Sequence, residues 1–251
     1  MLSMKQTLAN RLLDRLPAEE FARLAPALRP VSLSLSQPLS GPGESARFVY
    51  FPEDAIVSLH SEMENGRTAE VAMVGRDGAA GLPSVLGIQP ESHWLCVTVA
   101  GSALRMEIEV FRHELDRSTA LRHALLDYAG EYVAQLAQRS ACGVLHKTEQ
   151  RLAVWLLMIT DRLVGYELKL THERIARHLG VRRAGVTEIA NQLEARGVIN
   201  HSRGRLRVTD RPALEAAACE CYRALGAERR HPAYMQIIPS HLPPPKYGNA
   251  A

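Results

Sequence analysis

Long apolar runs are missing from this 251-residue sequence: the longest unbroken one, Leu152 to Ile159, falls far short of the roughly 20 residues needed to cross a bilayer. Lys5, Arg11, Asp14 and Arg15 interrupt the amino-terminal region, so neither a signal peptide nor a membrane span is expected. Paired cysteines are missing too. Cys96, Cys142, Cys219 and Cys221 are scattered and form no CxxC pair, which argues against a disulfide framework or a zinc ribbon and fits a reducing, cytoplasmic setting. No metal site and no cofactor are expected. Cys219 and Cys221, placed on one helix, would point to different faces and are read as unrelated. Catalytic signatures are also lacking: there is no Gly-rich phosphate loop followed by Lys-Ser or Lys-Thr, no GxSxG elbow and no HExxH. Asp127 and Glu131 have i,i+4 spacing, but on a helix they form a solvated face. The chain is not expected to be an enzyme.

What is present is ample apolar content, 46% of residues, enough to bury one large core or two ordinary ones. Charge is modest overall at +3 but uneven. Between Thr171 and Arg211 nine arginines face four acids, which leaves the remainder of the chain negative. A local basic excess is the footprint of a phosphate-binding face, although solvated helices carry it as well.

Leu8, Leu12, Leu13, Leu16, Phe21, Leu24 and Leu28 recur at near-helical spacing around Pro17, predicting two short helices within residues 1–30. From 31 to 112 the texture changes to short apolar or alternating runs broken by Gly, Pro and Asp: RFVYF, AIVSL, AEVAMV, LCVTV and ALRMEIEV. This predicts an antiparallel β domain closed as a jelly roll or β-roll. Over 113–146 no strong breaker precedes Gly130, and Leu121, Leu125, Tyr128, Tyr132 and Leu136 step by four, three, four and four along one face of a long helix. Periodicity alone leaves two uses open: packing on the chain's own β domain, or a seam between two subunits.

The most informative segment is LTHERIARHLGVRRAGVTEIANQLEARGVINHSRGRLRVTD, from Leu170. Thr171 is a suitable N-cap, with Glu173 in the first turn, where negative charge suits the helix dipole. Ile175, Ala176 and Leu179 form an inner face, Gly180 supplies a sharp turn, and Val181 fills the angle. A second helix, from about Arg182 to Arg196, turns Val186, Ile189 and Leu193 inward and leaves Arg182, Arg183, Ala184, Thr187, Glu188 and Asn191 outward. Arginine pairs bidentately with guanine, asparagine with adenine, and glutamate accepts from the cytosine amino group, so this face suits a major groove. Alternation from Val198 to Asp210 around Ser202, Arg203 and Gly204 predicts a two-stranded wing, with Arg203 and Arg205 near phosphates. A purely structural helical hairpin shares the apolar offsets but not the wing or the arginines.

These features resemble the CRP/FNR family of regulators over most of the chain. The helix-turn-helix run, the basic hairpin and TDRPAL match that family's DNA-binding domain, and EQRLAVWLLMI (149–159) resembles the helix packed behind it. The resemblance implies an α+β architecture: N-terminal helices (1–30), a cyclic-nucleotide-binding-like β-roll (31–112), a dimerisation helix (113–146), a winged helix-turn-helix (147–226) and a Pro-rich tail (227–251). It assigns Leu121, Leu125, Tyr128, Tyr132 and Leu136 to a homodimer seam. It further implies double-stranded DNA as partner, a two-fold symmetric operator and, for an activator, contact with RNA polymerase.

Only Arg183 keeps the family's guanine-reading arginine; Glu188 and Asn191 are candidate base readers. Arg182, Thr187, Arg203 and Arg205 are candidate phosphate contacts, and Thr171 is grouped with the DNA-contacting set. The family's cyclic-nucleotide pocket uses a Gly-Glu pair and an Arg-Ser or Arg-Thr pair. Here Gly81 is followed by Leu82, and His93-Trp94 stands where the arginine pair belongs, so the effector is unknown and not expected to be a cyclic nucleotide. A cysteine-ligated iron–sulfur cluster of the family's kind is not expected either, because the first cysteine is Cys96. The alternative is a winged-helix module that docks protein or RNA on a β-roll scaffold.

Overall fold

The computed structural model describes residues 8–163 and 167–225. The tail at 227–251 and the first residues of the amino-terminal segment lie outside the described residues. Two short helices open the fold, α1 (Arg11–Asp14) and α2 (Ala18–Leu24), followed by a 3-10 turn at Ala25–Ala27. Asn10 holds α1 in place: its side-chain oxygen accepts from the Leu12 and Leu13 N–H groups, and its amide donates to Pro52 O (2.9 Å) and Gly78 O (3.0 Å).

A double-layered β-roll comes next, formed by β1 (Arg29–Leu33), β2 (Pro38–Ser40), β3 (Phe48–Pro52), β4 (Ile56–Glu62), β5 (Thr68–Val74), the short helix α3 (Leu82–Val85), β6 (Trp94–Val99) and β7 (Gly101–Glu107). One sheet runs β1-β7-β3 and the other β2-β6-β4-β5, with antiparallel pairing throughout. Prolines at 30 and 38 sit in β1 and β2, which are edge strands and can spare the missing N–H. The core between the sheets holds Leu33, Val49, Phe51, Val57, Leu95, Val97 and Met106, capped by Phe111 edge-on to Phe51 at 5.6 Å. Ile108, expected to continue the last strand, instead opens α4 (Ile108–Arg117) and is buried.

The long helix expected over 113–146 is divided. After α4 the chain is extended at Ser118, and α5 (Thr119–Leu145) begins there, with the Ser118 hydroxyl accepting the Leu121 N–H at 3.0 Å. Arg122 closes the end of α4 by donating to the carbonyls of Leu115 (2.9 Å) and Asp116 (3.0 Å). The apolar stripe of α5 also differs from the seam expected of it. Leu121, Leu125, Tyr128 and Tyr132 are buried and Leu136 is partly buried, all against the chain's own β-roll core. Tyr128 donates to Ala79 O at 2.9 Å, and its ring covers Gly78 so closely that a Cβ there would come within 2.1 Å. Four of these side chains are buried inside one chain, and Leu136 keeps part of its surface.

The remaining elements make a winged-helix unit: α6 (Thr148–Thr160), β8 (Glu167–Leu168), α7 (His172–Leu179), α8 (Arg183–Ala195), β9 (Ile199–Ser202), β10 (Arg205–Val208), α9 (Arg211–Ala217) and α10 (Cys221–Leu225). From Leu152 to Thr160 every residue of α6 is buried, as suits a helix that is apolar all round. Its core also takes in Ile56 and Met73 from the β-roll.

Between the β-roll, α5 and the winged unit lies a buried polar network. The Glu70 carboxylate of β5 meets Arg139 of α5 at 3.0 Å, accepts from Trp155 Nε1 of α6 at 3.0 Å, and lies 3.1 Å from His178 Nδ1 of α7. His60 Nε2 of β4 stands 3.0 Å from the same His178 nitrogen. Arg162 and Asp77 tie the two units a second time, at 2.7 Å. Burial alone would raise the Glu70 pKa, but Arg139, then His178 and His60, outweigh it and bring it down to about 2. Burial holds His60 in its neutral form, lowering its pKa to about 4 against the opposing pull of Glu70.

Two outcomes follow from this network. Removing one partner of a buried ion pair strands the other, so Glu70→Ala should cost about 3 kcal/mol or more in urea denaturation. Acid should also weaken the fold. The stability from His60 is complete above the ordinary value of 6.5 and is lost as pH falls towards about 4, and that from Glu70 is complete above 4.5 and lost towards about 2. Urea midpoints should therefore decline steadily below about pH 6.5, less steeply in His60→Phe, whose ring does not titrate.

Candidate nucleic-acid interface

Helix α7 begins where Thr171, with extended backbone, accepts the Arg174 N–H on its hydroxyl at 3.3 Å. It ends at Gly180, whose φ of +67° lies in the left-handed region that a side chain resists. Ile175, Ala176 and Leu179 are buried beneath it. The turn is braced from outside, because Arg151 donates to Leu179 O at 2.6 Å and Arg67, from the β4–β5 loop, to Gly180 O at 3.2 Å. Neither bracing arginine stood out in the sequence.

Helix α8 starts at Arg183 and leaves Arg182 as its N-cap. Val186, Ala190 and Leu193 are fully buried, whereas Ile189, expected among them, is half-buried. Its outer face exposes Arg182, Arg183, Ala184, Glu188 and Asn191. Glu188 accepts weakly from Gln192 Nε2 at 3.5 Å, one turn on. Thr187 departs from the outward set: it is half-buried, its hydroxyl donates to Arg183 O at 3.2 Å, and it lies 3.0 Å from His172 Nδ1. The hydroxyl thus links the start of α8 to the start of α7.

The wing is a tight hairpin. Ser202 pairs with Arg205 across a two-residue turn in which Arg203 (φ +45°) and Gly204 (φ +78°) are both left-handed, the turn that matches the twist of paired strands. β8 adds a third strand, giving the order β8-β10-β9. Arg203, Arg205 and Arg207 are exposed along it. Between the wing and the start of α8 lies an open cleft of about 440 Å³, bordered by Thr171, His172, Arg183, His201, Arg203 and Arg205. His172 and His201 meet edge to face at 4.8 Å. Burial, and then the neighbouring His201 and Arg183, push the His172 pKa below its ordinary 6.5. Arg183, Arg203 and Arg205 bring the positive charge to this cleft.

The cleft brings together Thr171 and Arg183 with Arg203 and Arg205, residues that the sequence separates by up to three elements. Arg182, Glu188 and Asn191 lie along the exposed side of the same α8 helix. Residues 150–217 match the model of the Crp-like helix-turn-helix domain. The chain carries a Crp-like helix-turn-helix domain. The overall fold is similar to that of FixK2 from Bradyrhizobium japonicum, at 16% identity and a TM-score of 0.66, covering 76% of this chain and 98% of that one. The CRP-family transcriptional regulator TTHB099 from Thermus thermophilus matches at 20% identity and a TM-score of 0.62, over 75% of this chain and 96% of that one. TTHA1359, a CRP/FNR-family transcriptional regulator from the same organism, matches at 19% identity and a TM-score of 0.60, over 76% and 98%. The comparison with curated proteins returned no match. At such identities the structural likeness establishes the fold alone.

Arg183 is exposed at the first turn of α8. Arg183→Ala should weaken binding to the preferred duplex by about 1–3 kcal/mol and relax base preference at one position in each half-site, measured by competition binding. Equal weakening on every sequence would make Arg183 a phosphate contact instead.

Proposed function

We propose that the chain is a sequence-specific transcriptional regulator that binds a two-fold symmetric operator as a homodimer, without cyclic-nucleotide control of the usual kind. The observation that carries this reading is the outer face of α8. Arg183, Glu188 and Asn191 stand exposed on a helix whose opposite side is sealed into a core, with the wing arginines alongside. Such a helix enters a major groove with a base-reading vocabulary while the wing lies over the backbone. Arg182, Arg203 and Arg205 serve as phosphate contacts in this reading, and Thr171 places its helix start beside them.

Support for the dimer comes from a second face of α5. Leu126, Gly130, Val133, Ala137, Ser140 and Val144 step alternately by four and three, and all are exposed, with Leu126 at 56%, Val133 at 63% and Val144 at 83%. Apolar and small residues at this spacing form the seam of a two-helix coil, and small ones at 130 and 137 let the helices approach closely. The seam we propose is this face, a third of a turn from the stripe packed on the β-roll.

The β-roll interior supports the loss of cyclic-nucleotide control. The cavity among Leu59, Val74, Gly81, Glu91, Leu95 and Tyr132 is only about 10 Å³, whereas small-molecule pockets run to roughly 300–1,000 Å³. Glu91 is buried there with the Ser84 hydroxyl donating to it, so the cavity lining offers an anion an acceptor in place of a cation.

Selection of bound duplexes from a random pool, with and without cAMP, tests the proposal. A two-fold symmetric motif recovered equally in both is expected; recovery only with cAMP would sink the pocket argument. Absence of any motif would favour a module that docks protein or RNA. Val133→Glu, on an exposed position, should leave the fold intact, shift sedimentation from dimer to monomer and lower operator affinity at least tenfold, because one half-site then binds alone.

A further inference from the structure

A cluster of sulfur and imidazole groups, unused by the nucleic-acid surface, lies where α5 ends and α10 begins. Cys142 comes from the last turn of α5 and His146 from the residue after it; Cys219 lies in the turn before α10, and Cys221 is the first residue of that helix. The four ligand atoms lie within 4.8 Å of one another. Cys142 Sγ is 3.7 Å from Cys219 Sγ, and Cys221 Sγ is 3.5 Å from His146 Nδ1. All three cysteines are buried and none is in a disulfide.

We propose that Cys142, His146, Cys219 and Cys221 form a structural zinc site. Bonds of about 2.3 Å to sulfur and about 2.0–2.1 Å to nitrogen at tetrahedral angles put two sulfurs about 3.8 Å apart and a sulfur and a nitrogen about 3.6 Å apart. The Cys142–Cys219 and Cys221–His146 separations fall within about a tenth of an ångström of these, and the other four lie within 4.8 Å. Two outer contacts have the character of a metal's second layer. His146 Nε2 is 3.3 Å from Glu220 Oε1, which fixes the ring with Nδ1 turned to the thiols, the carboxylate–imidazole arrangement that orients a metal-bound histidine. Gln138 Nε2 donates to Cys221 Sγ at 3.1 Å, a bond that a thiolate accepts more strongly than a thiol. On binding, three S–H bonds break, three protons pass to solvent, and three Zn–S bonds and one Zn–N bond form. With four protein ligands there is no open position, so the site is structural.

The expectation that Cys219 and Cys221 point apart rested on placing both in one helix. Cys219 precedes α10, and the turn through Glu220 brings both sulfurs to one side. The two halves of the cluster stand 77 residues apart in the chain, as measured between Cys142 and Cys219. The ion would bolt the far end of the winged unit to the last turn of α5, across the junction where α5 passes into α6. It would thereby fix the azimuth of α8 relative to α5.

The test uses the full chain purified under reducing conditions. Metal analysis should find about one zinc per chain, released in step with modification of three thiols by an organomercurial. Exchange for cobalt should give thiolate-to-metal charge-transfer bands in the near ultraviolet and intense visible d–d bands of a tetrahedral ion. Cys219→Ser and His146→Ala should lose zinc, while Cys96→Ser, outside the cluster, should keep it. The proposal is overturned if the wild-type chain, equilibrated with zinc, holds none or gives an octahedral cobalt spectrum. It is also overturned if Cys142 and Cys219 are recovered as a disulfide, or if Cys219→Ser and His146→Ala retain the metal. The cobalt spectrum is read on the wild-type chain and stands even if a variant fails to fold.

Discussion

Glu70 is a carboxylate with no access to water, and everything that lies around it must answer for its charge. Moving an ionised carboxylate into a protein interior costs several kcal/mol unless cations and donors surround it. Three groups meet it directly, each from a different element: Arg139 from α5, Trp155 from α6 and His178 from α7, with His60 of β4 standing behind His178. Trp155 also stacks on His178, with centroids 5.1 Å apart, so the donor and the imidazole hold each other in register. No rigid shift of the winged unit over the β-roll keeps all these contacts. The proposed nucleic-acid surface is thus positioned by a charge on another element, the strand that begins at Thr68.

From that anchor the placement of α8 follows in short steps. His178 belongs to α7, whose Gly180 end is gripped by Arg67 and Arg151, and α7 in turn fixes α8 through the contact between His172 and Thr187. Along this path each polar group finds a partner in a neighbouring element, so the start of α8 is held on two sides. The outer face of α8 is left to arginine, glutamate and asparagine, which are free of structural duty.

The helix-turn-helix was legible because its signals are local. Ile175, Ala176, Leu179, Val186 and Leu193 mark inner faces by spacing alone, Gly180 marks the turn, and Arg203-Gly204 marks a hairpin. The α5 stripe was legible as a stripe, but periodicity names a face and not what covers it; Tyr128 and its neighbours went to the β-roll. The other face escaped notice because Gly130 and Ala137 carry little hydrophobic signal. Thr187 was read outward because a hydroxyl suits either side, and only the neighbouring His172 decides. The Glu70 network and the cysteine cluster were beyond reach, since their members meet only through tertiary packing across separations such as 85 residues between Glu70 and Trp155.

Helix α5 carries two apolar faces, and this makes its length matter more than its composition. One face is keyed to the β-roll at Leu121, Leu125, Tyr128 and Tyr132, while its far end meets the winged unit through Gln138 at Cys221 and Cys142 at Cys219. A helix turns about 100° and advances about 1.5 Å per residue. One residue inserted between Tyr132 and Gln138 would leave the first set of contacts in place and swing the second by more than a quarter turn. Substitutions along α5 are tolerated side chain by side chain, whereas a change in count is felt at once by every element beyond it. The helix acts as a ruler with a phase, and evolution of this chain is freer to repaint it than to recut it.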